Sequence, residues 1–294
     1  MQFFSYLING ISLGSVYALI ALGYTMVYGI AKMLNFAHGD VIMIGSYVVY
    51  FAFGASGLNP VLSIVLSMIV CTILGVVIER LAYRPLREAP SLAVLITAIG
   101  VSYLLQQVAQ LSWSSNPKSF TSVVSGMKPV SLFGGQLTIS AETIVTIVAC
   151  VVIMVVLMWF VNYTPAGHAM LAVSEDRGAA QLMGVNVNGT ISLTFAIGSA
   201  LAAIAGVLLC SAYPTLQPTT GSMPGIKAFT AAVFGGIGSI PGAMIGGVLL
   251  GVIEILGKAY VSTELGDALV FAVLILVLLV KPTGLLGKPV REKV

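Results

Sequence analysis

The chain has 294 residues, of which 58% are hydrophobic and only 8% charged, and its net charge is +3. Soluble domains carry about 25% charged residues, so this composition excludes a large soluble domain and points to the membrane class. A net charge this small names no partner; nothing in it suggests nucleic acid.

A membrane span needs about 20 mostly apolar residues. In chain order the long candidates are 7–29, 60–78, 92–111, 143–161, 190–211, 243–256 and 268–280, with two shorter apolar stretches at 41–53 and 226–234. The expected fold is an all-α polytopic membrane protein of about eight to nine transmembrane segments, the short pair being tilted spans, half-helices or re-entrant pieces. No Asp, Glu, Lys, Arg or His precedes Lys32. A signal peptide would open with a basic region and close at a small-residue cleavage site, so the first apolar segment is expected to stay as a span.

The stretch GIAKMLNFAHGDVIMIGSY (29–47) joins a long span to a short one and holds the polar cluster Asn35, His38 and Asp40. At membrane depth these residues must line a cavity or gate, because lipid exposure is expensive; at the rim they are simply solvated. The block ERLAYRPLRE (79–88) reads as a cytoplasmic anchor. The longest polar loop, 112–141, contains VSLFGGQLTIS, whose alternation around Gly134-Gly135 suggests a two-residue hairpin turn. It is either a passive lid or a docking surface.

Residues 164–188, TPAGHAMLAVSEDRGAAQLMGVNVN, form a polar island between two apolar runs. Thr164 can cap a first helix opened by Pro165. Ser174 can cap a second, with Glu175 and Asp176 in its first turn and Gly184 ending it. Ala179, Leu182 and Met183 then make a short apolar stripe, suited either to packing on the chain's own spans or to the groove of a cytoplasmic ATPase. The chain has no G-x-x-x-x-G-K-[ST] phosphate loop, so ATP chemistry would belong to another polypeptide.

A second Gly-rich stretch, FGGIGSIPGAMIGGVLLG (234–251), sits beside the short apolar segment 226–234. Broken segments in corresponding halves mark transport pathways, and tight turns look alike; for Gly242, Gly246, Gly247 and Gly251, close helix packing is the simpler reading. Glu254 has Lys258 four residues on, the spacing of a surface ion pair. Cys71, Cys150 and Cys210 lie in apolar runs. With His38 and His168 they offer no metal spacing, and neither a cofactor site nor a catalytic set converges.

With the N-terminus outside and every candidate crossing, inside loops hold Lys32, Arg80, Arg84, Arg87, Arg177, Lys281, Lys288, Arg291 and Lys293, and outside loops hold Lys118, Lys128, Lys227 and Lys258. Basic residues collect in cytoplasmic loops, so the N-terminus is expected outside and the C-terminus inside.

LNFAHGD, ERLAYRPLR, TAIGVSYLLQ, KAFTAAVFGGIGSIPGAMIGGVLLG and LILVLLVKPTGLLG resemble the LivH-type permease of the bacterial branched-chain amino acid ABC importer, and the resemblance runs through essentially the whole chain. The polar island fits the family's pattern at Gly167, Ala169, Glu175, Asp176, Ala180 and Gly184, with His168 and Met170 where the family usually carries arginine. The resemblance implies an ABC importer permease fold filling 1–294 as a single transmembrane domain in the bacterial inner membrane. It also implies a second, homologous permease, two cytoplasmic ATPases engaged by 164–188, and an extracytoplasmic binding protein delivering leucine, isoleucine or valine. A related machine for urea or short amides shares these motifs. An ion-coupled secondary transporter would need ionisable residues in mid-span, which are almost missing here, and a membrane-embedded enzyme fits least.

Overall fold

The computed structural model describes residues 2–132 and 137–287. The first helix, α1 (Gln2–Ala31), defines the two faces of the molecule: it starts at what we term the upper face and stops at the lower. It is followed by α2 (His38–Val49) with a π-helical end (Tyr50–Ala55), α3 (Pro60–Ile78) with a π-helical and then a 3-10 turn (Glu79–Tyr83, Arg84–Leu86), α4 (Ser91–Trp113) and α5 (Ala141–Tyr163). Two short helices, α6 (Pro165–Glu175) and α7 (Arg177–Leu182), precede α8 (Val187–Ala212), α9 (Ser222–Gly235), α10 (Ile240–Tyr260) and α11 (Gly266–Val280). Among the described residues six helices are long and apolar enough to cross a membrane. The chain is an all-α polytopic membrane protein.

Every residue from Leu13 to Val27 of α1 is buried. A helix enclosed on all sides must be apolar all round, and its neighbours approach where side chains are smallest. A Cβ on Gly14 would strike the Val248 backbone, one on Gly247 would strike Ala18, and one on Gly251 would strike Gly14. The other half of the glycine stripe faces α9: Gly242 and Gly246 lie against Gly235 and Ala231. The stripe therefore packs two different neighbours. Gly45 against Ala203, and Gly75 against Ser199, repeat the device where α2 and α3 meet α8.

The stretch 234–251 is a tight turn and not a broken span. Gly236 (φ 106°) and Gly238 (φ 94°) take left-handed conformations that favour glycine, and Ser239 caps α10 by accepting from the Gly242 N–H at 3.2 Å. The segment that does abut the first interruption is the loop before α9. A Cβ on Gly39 would stand 2.6 Å from the Gly221 carbonyl oxygen, so the first turns of α2 and α9 touch.

At the upper face β1 (Lys118–Ser119) pairs antiparallel with β4 (Thr215–Leu216), and β2 (Val130–Leu132) with β3 (Leu137–Ile139). The β2–β3 register pairs Leu132 with Leu137; Gly134 and Gly135, where a two-residue hairpin turn is expected, lie outside the described residues. So do Lys288, Arg291 and Lys293 of the basic tail. Lys227 and Lys258, counted above as loop residues, stand inside α9 and α10.

Overpacking a tight contact costs about 1–3 kcal/mol. Gly251→Val, whose side chain would enter the α1 backbone, is expected to lower the thermal midpoint of the detergent-purified protein. Gly100→Ala on α4, with open space around it, should leave the midpoint unchanged or raise it, since alanine in a helix gains about 0.5–1 kcal/mol over glycine. Equal midpoints for the two variants would contradict the packing described.

Candidate functional site

At the lower face, the Thr164 hydroxyl accepts from the Gly167 N–H at 3.0 Å. Pro165 opens α6, and Gly184 (φ 86°) terminates α7. The second cap differs from expectation. Ser174 lies within α6 and donates to the Leu171 carbonyl at 2.7 Å; Asp176 is the cap of α7, accepting from the Ala179 N–H at 3.0 Å. The reason is backbone conformation: Asp176 is the extended residue between the helices (φ −155°, ψ 111°), where a capping side chain can reach forward. Glu175 thus ends α6. Leu182 is 90% and Met183 84% exposed, and Ala179 is exposed beside them, so the apolar stripe faces away from the protein's own spans. A Cβ on Gly167 would collide with the Phe160 and Val161 backbone, which accounts for glycine at that corner.

This segment is tied to the spans by arginines. Arg177 of α7 donates to the carbonyl of Ala31, the last residue of α1. Arg87 donates to Glu79 and to Asn188, and the Ser192 hydroxyl donates to the other Glu79 oxygen at 2.6 Å. Burial, with the Arg87 guanidinium adding to it, lowers the pKa of Arg177 from its ordinary value.

Deeper in the protein, Asn35, His38 and Asp40 are all buried, so the solvated-rim alternative fails. Asn35 accepts from the Tyr83 hydroxyl at 2.9 Å, and His38 meets the Tyr24 ring edge-on at 4.7 Å. Asp40 accepts from the Gln106 amide at 2.9 Å, and the same amide lies 3.2 Å from the Ser222 hydroxyl.

A second polar centre leaves little local mark in the sequence. Glu254 was expected to form a surface pair with Lys258. It is instead buried, accepting from Lys258, from Lys227 at 2.8 Å and from the Tyr17 hydroxyl at 2.8 Å. Lys227 also pairs with Asp267 at 2.6 Å. The signal available was a lone lysine early in a short apolar helix, a costly placement that demands a partner. Glu254, Lys258 and Tyr17 border a cavity of about 450 Å³ that Ser222 also lines. Asp40 therefore stands two hydrogen bonds behind that cavity's wall.

The family described as branched-chain amino acid transport system, permease component, matches residues 6–278. The chain is 47% identical to the high-affinity branched-chain amino acid transport system permease protein LivH of Salmonella typhimurium strain LT2, over 100% of this chain and 98% of that one. The Escherichia coli K12 protein of the same description gives the same identity and coverage. Identity to the permease protein BraD of Pseudomonas aeruginosa PAO1 is 47% over 98% of this chain and 97% of that one.

Removing one member of a buried ion pair costs about 3–5 kcal/mol. Glu254→Gln should therefore lower the thermal midpoint well below that of Glu264→Gln, a change at an exposed carboxylate. Indistinguishable midpoints would show that the cluster does not hold α9, α10 and α11 together.

Proposed function

Since the chain belongs to the family of branched-chain amino acid transport system permease components, we propose that it is the membrane-spanning subunit of an ATP-driven importer for leucine, isoleucine and valine. Residues 1–294 act as one transmembrane permease domain. It pairs with a second, homologous permease, two cytoplasmic ATPases bind beneath, and an extracytoplasmic binding protein delivers the cargo. The observation that carries this reading is full-length identity to permeases named for that cargo, joined to an apolar stripe left uncovered on α7.

The lower face is cytoplasmic in this reading. Among the described loop residues and helix ends, it carries Lys32, Arg80, Arg84, Arg87, Arg177 and Lys281, against Lys118, Lys128 and Lys258 above. That imbalance, six against three, supports an external N-terminus and an internal C-terminus even without the tail. Segment 164–188 is then the coupling element: Glu175 and Asp176 join its two helices, Ala179, Leu182 and Met183 fill a groove on the ATPase, and Gly184 returns the chain to α8. Arg177 passes the motion to the end of α1. Loop 112–141 faces the binding protein. Asn35, His38 and Asp40 act as gate residues of the pathway, with Gln106 linking Asp40 to the cavity wall.

Burying a leucine-sized side chain is worth roughly 1.5–3 kcal/mol, and a carboxylate in its place would meet an apolar groove. Leu182→Asp combined with Met183→Asp is expected to leave the permease pair intact while the ATPases are lost on purification and leucine uptake falls. Retention of both ATPases with full uptake would move the coupling surface elsewhere. For orientation, a single cysteine at Ser125 should react with an impermeant reagent in intact cells and one at Glu88 should not; the reverse pattern would invert the topology.

A further inference from the structure

We infer that the vestibule at the upper ends of α1, α8 and α10 is a reception site for the zwitterionic head of an amino acid, Lys258 taking its carboxylate and Glu142 its ammonium group. This deepens the importer reading and rests on it. The cavity bordered by Glu254 adjoins a larger one of about 710 Å³, and the two share Leu13, Tyr213 and Lys258 in their walls.

Three features of the larger cavity fit an amino acid with a branched apolar side chain. It holds charges of both signs on different helices, Glu142 from α5 and Lys258 from α10. It offers an apolar wall in Val16 and Ile255. It also contains the hydroxyl of Ser211, which is buried and has no hydrogen-bond partner among the described residues. An unpaired buried hydroxyl costs free energy unless something bonds it, and a carboxylate or ammonium in this cavity would.

The two lysines of the ion cluster are not equivalent. Lys227 is buried, and Glu254 and Asp267 both hold it at hydrogen-bond distance. Lys258 has its side chain 33% exposed, and its second carboxylate, Asp267, stands 3.9 Å away. Glu254 keeps a cationic partner in Lys227 if Lys258 turns toward a ligand. Glu142 is bound only lightly, accepting from the Ser122 hydroxyl at 3.1 Å. A neutral amide would call on neither charge, and a singly charged solute on one.

The assembled permease–ATPase complex in nanodiscs, without its binding protein, is titrated with radiolabelled leucine. Saturable binding is expected, weakened about tenfold or more by Lys258→Met and by Glu142→Gln, the scale of one lost charge-assisted hydrogen bond, and kept by Lys258→Arg. Glu142→Gln lies outside the buried cluster, so its effect does not depend on that cluster's stability. Isopentylamine, which lacks the carboxylate, and 4-methylpentanoate, which lacks the ammonium, should compete poorly. Wild-type affinity in both variants, competition by either analogue as strong as by leucine, or no leucine binding to the wild-type complex would overturn the site. The last outcome would fit a vestibule that receives a loop of the binding protein. Failure of the intact system to import any branched-chain amino acid would instead overturn the importer reading.

Discussion

The close approach of α1 to α10 is the contact from which the remaining architecture follows. Gly14 meets Val248 and Gly251, and Ala18 meets Gly247, so the two backbones touch where side chains would otherwise keep helices about 8–10 Å apart. Lipid tails are as apolar as leucine, and helices in a bilayer associate mainly through such packing and through hydrogen bonds. With α10 on one side and α8 and α9 on others, α1 has no lipid face through its middle. Two of its buried hydroxyls find partners within the protein, while that of Thr25 has none among the described residues. Ser15 returns its hydroxyl to the Ile11 carbonyl at 2.8 Å, and Tyr17 reaches across to Glu254.

The same helix connects the two faces. Its final carbonyl is held by Arg177 of the segment bearing the exposed Leu182 and Met183. Its middle third supplies Leu13 and Tyr17 to the cavity walls. If ATPases push on α7, the displacement enters a helix clamped along its length by glycine contacts, where sliding without moving α10 is sterically blocked. Glu254 and Lys258 stand on α10, the helix packed against α1 through these glycines. A rigid, fully packed helix suits this role better than a flexible loop, because packed interiors transmit strain.

Much of this was legible in the residues, for identifiable reasons. The apolar run 60–78 coincides with α3, and 92–111 falls within α4, because lipid demands long uninterrupted helices. Thr164, Pro165 and Gly184 announced the ends of α6 and α7 through capping chemistry alone. Ser174 and Asp176 are both good caps, and only the backbone conformation between the helices chooses Asp176. At 234–251 the glycines report the close packing and tight turn that the sequence offered as the simpler reading; the loop before α9 carries prolines and few glycines, so its contact with Gly39 left no local mark. The pairing of Lys227 with Glu254 spans 27 residues, beyond any helical spacing, whereas Lys258 at four residues was visible. Depth was also hidden: Asn35, His38 and Asp40 read equally well as rim or interior until the packing of α2 against α9 placed them inside.

Three buried carboxylates show how charge is tolerated here, and they differ. Glu79 is matched by Arg87 and Glu254 by two lysines. Asp40 has no cation within ion-pair distance among the described residues, yet it sits in the first turn of α2, whose N-terminal dipole favours a negative charge. The N-terminus of α9 abuts that turn through Gly39 and Gly221, and Ser222 in its first turn shares the Gln106 amide with Asp40. Two helix ends, each worth typically 0.3–1 kcal/mol and up to about 2 when partly buried, thus take the place of a counter-ion. Dipole stabilisation falls off within one helical turn, so it depends on α2 and α9 staying in contact, whereas an ion pair could follow a moving partner.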